Sequence, residues 1–251
     1  MDPHTPQACV VVTGYDNAPR VRATVRSALA QGPAVREVLV VDDCSTDGSG
    51  ERLARLTSVD PRVRVLRRRW HSGGRGSPRN TGLDRVTSPY VMFQVGGDLL
   101  LPGALDALLG ARAEIASGLC ALPARRPLLV HDTACGNKLY RTDFLRTNGI
   151  RFPEGRFPHE DVVFHARVLA ASPDIALVPT RVSVRRTRQP ADARALTEAY
   201  RLAYDILRAA GREELAMAVR EAHDTQSAPH VTPHSRRVVE VVRDSLRRLL
   251  H

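Results

Sequence analysis

The chain has 251 residues, of which 43% are hydrophobic and 25% are charged, and it carries a formal net charge of +10. This length fits one domain of ordinary size, and the apolar fraction supports a sizeable core, so a globally disordered chain is excluded. Aromatic residues form only 4% of the chain, which argues against a lectin-like surface of stacking rings. No apolar run of about eighteen residues occurs, so we expect no membrane span.

The N-terminal segment MDPHTPQACVVVTGY lacks a basic stretch ahead of its apolar run, and it therefore does not fit a secretion signal. The four cysteines, Cys9, Cys44, Cys120 and Cys135, form no C-x-x-C pair. Reduced thiols in a cytoplasmic protein are the interpretation that fits both observations, in preference to a disulfide framework or a zinc site.

The basic charge comes almost entirely from arginine, because Lys138 is the only lysine among 37 basic residues. Together with richness in Ala, Val and Leu, this pattern is typical of a GC-rich genome. Basic charge also suits a protein that handles diphosphates or lies near anionic lipid. Since no nucleic-acid recognition module accompanies the charge, we expect no nucleic-acid partner.

The first hundred residues predict strands that alternate with helices. The predicted strands are continuous apolar runs: Ala8 to Gly14, Val35 to Val41, Val63 to Leu66 and Tyr90 to Val95. The predicted helices lie between them: Arg20 to Gln31, Gly48 to Leu56 and Pro78 to Val86. This alternation indicates an α/β fold, a mostly parallel sheet with helices on both faces. In such sheets ligands bind beyond the carboxyl ends of the strands.

The second half of the chain is less regular. The elements predicted there are a helix from Pro102 to Ala116, an irregular stretch from Ser117 to Ala134, a helix from Glu160 to Ala170 and a strand from Val182 to Val184. After Pro190 the pattern becomes helical, so we predict an α/β domain at 1–188 and a helical extension at 189–251 packed on it. The basic segment Ser235 to Leu250 either packs on the domain, contacts an anionic membrane surface or binds a partner helix.

Two acids end the second predicted strand, in the sequence VDDCSTDGS that spans Val41 to Ser49. Ser, Thr or Asp in this loop would cap the following helix. Capping does not explain Asp42 and Asp43 together, because an acid at the end of a buried strand must be solvated or hydrogen-bonded. A carboxylate in this place can accept hydrogen bonds from a nucleobase imide or a ribose hydroxyl.

Several motifs in one order resemble those of the family 2 inverting glycosyltransferases. They are VVTGYDNAP, VDDCSTDGS, SGGRGSPRNTGLDRV, GNKLYRTDFL, GIRFPEG and HEDVVFHARVL, over about residues 8 to 170. The resemblance implies a GT-A fold, which is Rossmann-like, followed here by C-terminal helices. It also implies transfer of a sugar from a nucleotide diphosphate sugar, with a UDP-sugar favoured, to the hydroxyl of an unidentified glycan, lipid-linked or small-molecule acceptor.

The resemblance also assigns donor-binding residues. Thr13 and Tyr15 match the strand end against which the family packs the donor base. Asp43 matches the acid that bonds the base, and Asp42 is its neighbour in the same motif. Arg79, in the PRNTG motif, matches an arginine near the nucleotide and diphosphate, a position that suits a permanently charged guanidinium. An ion pair on the helix surface is the alternative for Arg79.

The fourth strand departs from the family, whose members end it with a D-x-D-D-like cluster of acids. Val95, Gly96 and Gly97 replace three of the expected positions, and Asp98 alone remains. The resemblance implies Mg²⁺ or Mn²⁺ as cofactor, with Asp98 as the metal ligand beside the diphosphate. Arginines that stabilise the leaving diphosphate without a metal are the second possibility, and a helix cap at Asp98 is the third.

The segment HEDVVFHARVL supplies the acids expected to act on the acceptor. An inverting transfer needs one base to take the proton of the attacking hydroxyl, and Asp161 is our first candidate, with Glu160 second. Acids also favour the first turn of a helix for electrostatic reasons alone. Lys138, the lone lysine, is expected near the diphosphate or the acceptor, although its retention by chance is equally compatible with the sequence.

Three other functions compete with an active transferase. The depleted acid motif fits a catalytically silent protein that binds nucleotide sugars. Retention of Asp98, Lys138 and the pair of Glu160 and Asp161 argues against silence. A sugar nucleotidyltransferase would need a glycine-rich basic loop after the first strand, which TGYDNAPRV does not provide. A nucleic-acid binder rests on net charge alone.

Overall fold

The computed structural model describes residues 7–120, 133–186 and 192–227, with side chains described as far as residue 224. The strands in this part of the chain are β1 Ala8–Gly14, β2 Val35–Asp42, β3 Val63–Arg67, β4 Tyr90–Val95, β5 Leu99–Leu100, β6 Ile115–Cys120, β7 Lys138–Arg141 and β8 Ile175–Val184. The helices are α1 Ala18–Leu29, α2 Ser49–Ala54, α3 Gly76–Leu83, α4 Ala104–Gly110, α5 Thr142–Thr147, α6 Glu160–Ala170, α7 Ala193–Ala209 and α8 Glu213–Ser227.

The strands form one eight-stranded mixed sheet in the order β3-β2-β1-β4-β7-β6-β8-β5. Strands β1 to β4 run parallel to one another, whereas β7 is antiparallel to both β4 and β6. The chain moves outward from β1 through β2 to β3 and then returns to place β4 on the other side of β1. This reversal creates a crevice at the carboxyl ends of β1 and β4, the usual ligand site of open α/β sheets.

Helices cover both faces of the sheet, as the apolar strands predict. Alternate residues of β1 point to opposite faces, so that Val11 joins one buried apolar cluster and Val10 and Val12 join the other. The first cluster includes residues of α3, α5, α6, α7 and α8, and the second includes residues of α1, α2 and α4. The expectation of an α/β sheet covered by two helical layers is therefore confirmed.

The boundaries of β1, β4 and α6 coincide with those predicted, but the helix predicted from Pro102 to Ala116 is wrong beyond Gly110. Ile115 and Ala116 instead begin β6, which pairs with both β7 and β8. The irregular stretch predicted from Ser117 to Ala134 is likewise wrong at its start, because β6 runs to Cys120. Pairing with two neighbouring strands outweighs the local helical pattern here.

The helix α7 packs against α6, and α8 packs against α7. Tyr200 and Leu207 of α7 and Ala216 of α8 belong to the same apolar cluster as Phe164 of α6. The predicted boundary at residue 188 stays a prediction, and the basic segment at 235–250 lies outside the described residues. Within the described part of the chain, no helix is both long and apolar enough to cross a membrane.

Candidate functional site

The carboxyl ends of β1, β2 and β4 lie side by side at one edge of the sheet. Thr13 pairs with Val41 on one side and with Val95 on the other, and Gly14 pairs with Asp42. The loops that follow these three strands therefore begin in a single row. The sequence predicted this row because the carboxyl ends of adjacent parallel strands always share an edge.

The loop after β1 and the loop after β2 are joined by hydrogen bonds. The backbone N–H of Asp16 donates to Ser45 Oγ at 2.9 Å, and Asp16 Oδ1 accepts from the N–H of Thr46 at 2.7 Å. Asp16 adopts a positive φ of 46°, which turns the chain sharply beside Tyr15. These contacts hold Tyr15 at the edge of the sheet, although its side chain remains exposed.

Asp43 is held by the loop that follows β3. Its Oδ1 accepts from Arg68 Nη1 at 2.5 Å, and its Oδ2 accepts from the backbone N–H and the Oγ of Ser72 at 3.0 and 2.8 Å. His71 Nδ1 lies 2.8 Å from Oδ2. The side chain of Asp43 is only 4% exposed, so these contacts fix the direction in which its carboxylate faces. His71 and Ser72 are therefore part of the predicted donor edge.

A cavity of about 340 Å³ opens at this edge and is called cavity A. The residues that line it include Thr13, Tyr15, Asp43, His71, Arg75 and Arg186. The rings of Tyr15 and His71 stack with centroids 3.8 Å apart and an interplanar angle of 22°. An exposed stacked pair beside a fixed carboxylate offers a planar surface and a hydrogen-bond acceptor, which together suit a nucleobase.

Arg79 joins α3 to α6 through a buried ion pair. Its Nη1 donates to Glu160 Oε1 at 2.8 Å and to Asp161 Oδ1 at 2.5 Å. The guanidinium also lies 4.9 Å from the ring centroid of Phe152, and the side chain of Arg79 is 2% exposed. The alternative prediction for Arg79 was an ion pair on the helix surface. Arg79 does form ion pairs, but they are buried, and its partners are the two predicted catalytic acids.

Further contacts orient Asp161. Cys135 Sγ donates to Asp161 Oδ1 at 3.3 Å, and the backbone carbonyl of Asp161 is 2.8 Å from His165 Nδ1. Because a carbonyl oxygen only accepts, His165 must carry a proton on Nδ1. In the neutral ring, Nε2 then accepts from the Tyr140 hydroxyl, 2.9 Å away. Asp161 is thus held by partners from the loop before β7, from α3 and from its own helix.

The two adjacent acids respond differently to this environment. Burial, reinforced by the charge of Asp161, raises the pKa of Glu160 above its ordinary value. Burial also acts to raise the pKa of Asp161, but the charge of Arg79, together with the hydrogen bond from Cys135, outweighs it and lowers that pKa. Asp161 is therefore the more firmly ionised of the two, and Glu160 gains a proton more readily.

A smaller cavity of about 90 Å³, called cavity B, lies next to cavity A. Its lining includes Arg75, Arg79, Asp98, Cys135, Asp161 and Arg185. Arg75 and Val95 line both cavities, so the two spaces adjoin at these residues. The structure therefore brings the expected donor edge and the expected catalytic acid into one continuous region.

Glu160 faces a third space of about 260 Å³, called cavity C, whose lining also includes Arg75, Phe157 and His159. His159 adopts a positive φ of 59°, which is uncommon for a residue other than glycine. Its Nε2 atom is buried without a hydrogen-bond partner. Asp161 and Glu160 thus line different cavities although they are neighbours in sequence.

The carboxylate environment at the end of β4 does not fit a resident metal ion. The described residues contain no group of three His, Cys, Asp or Glu side chains that could hold one. Asp98 Oδ1 accepts from the backbone N–H of Arg186 at 2.8 Å, and cavity B places Arg75 and Arg185 near the same carboxylate. Among the described residues that line cavity B, the carboxylates are Asp98 and Asp161, and Asp161 is paired with Arg79. The remaining carboxylate, Asp98, lies among guanidinium groups and is a poor set of ligands for Mg²⁺ or Mn²⁺, which prefer several oxygen ligands.

Two of the predicted donor-binding residues, Asp42 and Lys138, do not line these cavities. Asp42 is fully buried, and its Oδ1 accepts from the backbone N–H and the hydroxyl of Ser45. Lys138 is fully buried as well, and its Nζ donates to the backbone carbonyl of Ala134 at 2.7 Å and to Asn137 Oδ1 at 3.0 Å. In this structure Asp42 orders the loop after β2, and Lys138 orders the turn before β7.

The sequence did not single out Arg20, Arg75, Arg185 or Arg186, which line the cavities. In a chain this rich in arginine, no one of them stands out by residue type. Two sequence features could nonetheless have pointed to these arginines. One is the position of Arg75 within the SGGRG loop, and the other is the adjacent pair Arg185 and Arg186 directly after the last predicted strand.

The sheet order and the crevice at its reversal define a GT-A fold. Residues 9–112 match the model of a family described as glycosyl transferase family 2. This match covers β1 to α4 and includes both strand-end loops. The resemblance to family 2 that the motifs predicted is therefore confirmed over this segment.

Two curated relatives agree with this assignment. The succinoglycan biosynthesis protein ExoO of Rhizobium meliloti is 25% identical over 225 residues, which cover 76% of this chain and 64% of that protein. The poly(ribitol-phosphate) β-N-acetylglucosaminyltransferase TarS of Staphylococcus aureus is 26% identical over 214 residues, covering 76% of this chain and 37% of that protein. The chain thus spans about one third to two thirds of the length of these relatives.

The crystal structure of residues 1–349 of S. aureus TarS in complex with UDP-GlcNAc has the same fold. It superposes with a TM-score of 0.74 at 19% sequence identity and covers 88% of this chain and 73% of that chain. At this level of identity the likeness supports the fold, and the GT-A architecture expected from the sequence is confirmed.

Proposed function

We propose that this protein transfers a sugar from a UDP-sugar to the hydroxyl of an acceptor with inversion at the anomeric carbon. The observation that carries the proposal is the junction of cavities A and B, where Arg75 and Val95 line both spaces. A nucleobase in cavity A and a sugar near Asp161 in cavity B would be joined by a diphosphate across this junction. Binding of UDP-GlcNAc by TarS, which has the same fold, supports a nucleotide-sugar donor.

We assign a role in binding the nucleobase to several residues that line cavity A. The Tyr15 ring, stacked on His71, packs against the base, and the Asp43 carboxylate accepts its imide hydrogen. Uracil fits this pairing because its N3–H is a donor beside two carbonyl acceptors. Thr13 closes the floor of the cavity at the end of β1.

Asp161 is the proposed general base. In the transfer, the acceptor oxygen forms a bond to the anomeric carbon while the bond from that carbon to the donor phosphate breaks, and the acceptor proton moves to Asp161. Attack from the face opposite the leaving diphosphate inverts the configuration. Asp161 lines cavity B, whereas Glu160 is 2% exposed and lines cavity C, so Asp161 is the better placed of the two acids.

Arg79 is the proposed positioning residue for this base. It holds Asp161 in one direction and keeps it ionised, so that a proton acceptor is present at neutral pH. The same ion pair makes direct contact between Arg79 and a diphosphate unfavourable, because two buried carboxylates would lose their partner. An intact pair of this kind also argues against a silent binding protein.

The acceptor is proposed to approach through cavity C. Phe157 gives this cavity an apolar wall, and His159, whose buried Nε2 has no hydrogen-bond partner, also lines it. Cavities B and C have Arg75 in common, so the two spaces adjoin at this residue. This geometry suits an acceptor with both apolar and hydroxyl-bearing surfaces, such as a glycan or a lipid-linked saccharide.

The test is release of UDP from a panel of UDP-sugars by the purified full chain. The proposal predicts release that depends on the sugar and increases when an acceptor hydroxyl is supplied in excess. Arg36→Gln is a matched control, since Arg36 is exposed at the opposite end of β2. Binding of UDP without release from any donor would favour the silent binding protein.

A further inference from the structure

Four arginines around cavities A and B have side chains that do not take part in the polar contacts that hold the fold together. Arg20, Arg75 and Arg186 line cavity A, and Arg75 and Arg185 line cavity B. Among the described residues, none of their side chains makes a hydrogen bond or an ion pair, in contrast to Arg68 and Arg79 nearby. Several guanidinium groups without protein partners, gathered around one concave surface, form a site for a multivalent anion.

Arg75 occupies the central position in this group. It precedes α3, it lines all three cavities, and its charge acts on both Glu160 and Asp161. An anion that bridges cavities A and B must pass this side chain. Two phosphates in sequence match a row of guanidinium donors, since each guanidinium can bond two phosphate oxygens.

The turn after β4 leaves no room for the acids that a metal site would need. A Cβ atom at Gly96 would lie 2.5 Å from Val21 Cγ2 and 3.2 Å from the carbonyl oxygen of Thr13. Gly97 has a φ of 119°, which L-residues rarely adopt. The backbone at these two positions therefore requires glycine. Replacement of Gly96 or Gly97 by an acidic residue would force the turn to move.

Asp98 has a role in this turn that needs no metal. Its Oδ1 accepts from the backbone N–H of Arg186, directly after β8. Its backbone carbonyl accepts from Thr24 Oγ1 on α1 at 2.8 Å. Asp98 thereby ties the end of β8, which carries Arg185 and Arg186, to the edge of the sheet where the cavities lie.

We propose that Arg75 and Arg186 bind the donor diphosphate without a resident divalent cation, and that Asp98 positions the arginine-bearing end of β8 instead of ligating a metal. This inference rests on the proposed function, because it assigns the groups that hold the leaving diphosphate. Arg185, which lines cavity B, would flank the diphosphate on that side. The guanidinium groups supply the positive charge that a divalent ion would otherwise provide during departure of UDP.

Calorimetric titration of the full chain tests this arrangement with three probes: UDP, inorganic pyrophosphate and uridine. Each is titrated in EDTA and again in Mn²⁺. The affinity for UDP should differ by less than about threefold between the two conditions, and pyrophosphate should bind in EDTA. Arg75→Gln should weaken UDP and pyrophosphate by about tenfold or more and leave uridine binding within about twofold.

Two further variants separate a metal ligand from a positioning residue. Asp98→Asn keeps an oxygen that can accept from the N–H of Arg186, so it should retain most of the affinity for UDP. Asp98→Ala removes this acceptor and should lose affinity in EDTA. Arg36→Gln, which removes the same charge as Arg75→Gln far from the cavities, should leave all three probes unchanged.

The outcomes distinguish this inference from the proposed function. If uridine binds but UDP binds only in Mn²⁺, the arginine site is wrong and the donor site stands, and loss of that Mn²⁺-dependent binding in Asp98→Asn would identify Asp98 as a metal ligand. If Arg75→Gln and Arg75→Lys both bind UDP and pyrophosphate as the wild type does, the inference is also overturned. If no probe binds the folded wild type under either condition, both proposals fail.

Discussion

Arg79 Nη1 lies 2.5 Å from Asp161 Oδ1, although the two residues are separated by 82 positions in the sequence. This contact joins the helix that begins beside cavity A to the helix that carries the proposed base. It keeps Asp161 ionised and directed into cavity B. Because Arg79 is paired with the two acids, it is not free to bind a diphosphate, and Arg75, which lines both cavities A and B, is the candidate for that contact.

Loss of Arg79 should destabilise the protein strongly. Arg79→Gln leaves Glu160 and Asp161 buried without a compensating charge, which typically costs about 3–5 kcal/mol. Urea unfolding at neutral pH measures the change in the free energy of unfolding. Arg85→Gln removes an exposed charge just past the end of the same helix and should cost less than about 0.5 kcal/mol. Equal stability of the two variants would show that the buried pair is not required.

Asp161→Asn should abolish turnover and leave donor binding nearly intact. The amide keeps the shape of the side chain but cannot take the acceptor proton, and a general base typically contributes about 10²–10⁴ in rate. Initial rates of UDP release, together with the dissociation constant of UDP, check both parts. If Asp161→Asn retains wild-type turnover and Glu160→Gln does not, Glu160 takes over the role of base.

Glu160→Gln should change the dependence of stability on pH. Because the folded protein raises the pKa of Glu160 above 4.5, its protonated form favours folding below that pH, and this stabilisation is lost as the pH rises through the raised value. Glutamine does not titrate. The unfolding free energy of the variant, taken relative to the wild type, should therefore increase between about pH 4 and pH 8.

The exposed Glu214 provides the control for this experiment, since Glu214→Gln should give a difference that is flat over the same pH range. A relative stability of Glu160→Gln that falls as the pH rises would mean that the carboxylate of Glu160 stabilises the fold. In that case Arg79 would stabilise the ionised form of both acids. The claim that the fold raises the pKa of Glu160 while it lowers that of Asp161 would then be wrong.

Tyr15→Ala should weaken nucleoside binding with little effect on stability. The side chain of Tyr15 is 39% exposed, so its removal leaves no core cavity. A stacking contact with a base is typically worth about 1–3 kcal/mol, or about fivefold to 150-fold in affinity for uridine and UDP. Tyr15→Phe retains the ring and should bind nearly as the wild type does. Unchanged uridine affinity in Tyr15→Ala would remove the ring from the base site.

The sequence predicted the parallel half of the sheet well. The strands β1 and β4 are largely apolar runs that end at Gly14 and at Val95, and such runs are buried on both faces in a parallel sheet. The strand β6 was missed because IASGLC is short, small and weakly patterned. The strand β8 was found only at its end, since Pro179 and several exposed residues interrupt its apolar pattern.

The site was predictable where it depends on strand order and not where it depends on distant contacts. Asp43 and Tyr15 follow neighbouring parallel strands, so their proximity follows from the topology. The pairing of Arg79 with two acids more than 80 residues away has no local signal. The approach of Arg186 to Asp98 likewise depends on the antiparallel pairing of β5 with β8, which the sequence did not reveal.

The most direct test of inverting sugar transfer is an NMR time course with UDP-α-N-acetylglucosamine and a large excess of methanol as a surrogate acceptor. A methyl glycoside does not mutarotate, so the anomer that is formed remains readable. We expect wild-type protein to release UDP and to produce the β-methyl glycoside, and Asp161→Asn to produce neither. The same measurement extends to other α-linked UDP-sugars if this donor is not used. Formation of the α-glycoside would contradict inversion, and absence of UDP release from every donor that binds would contradict transfer itself.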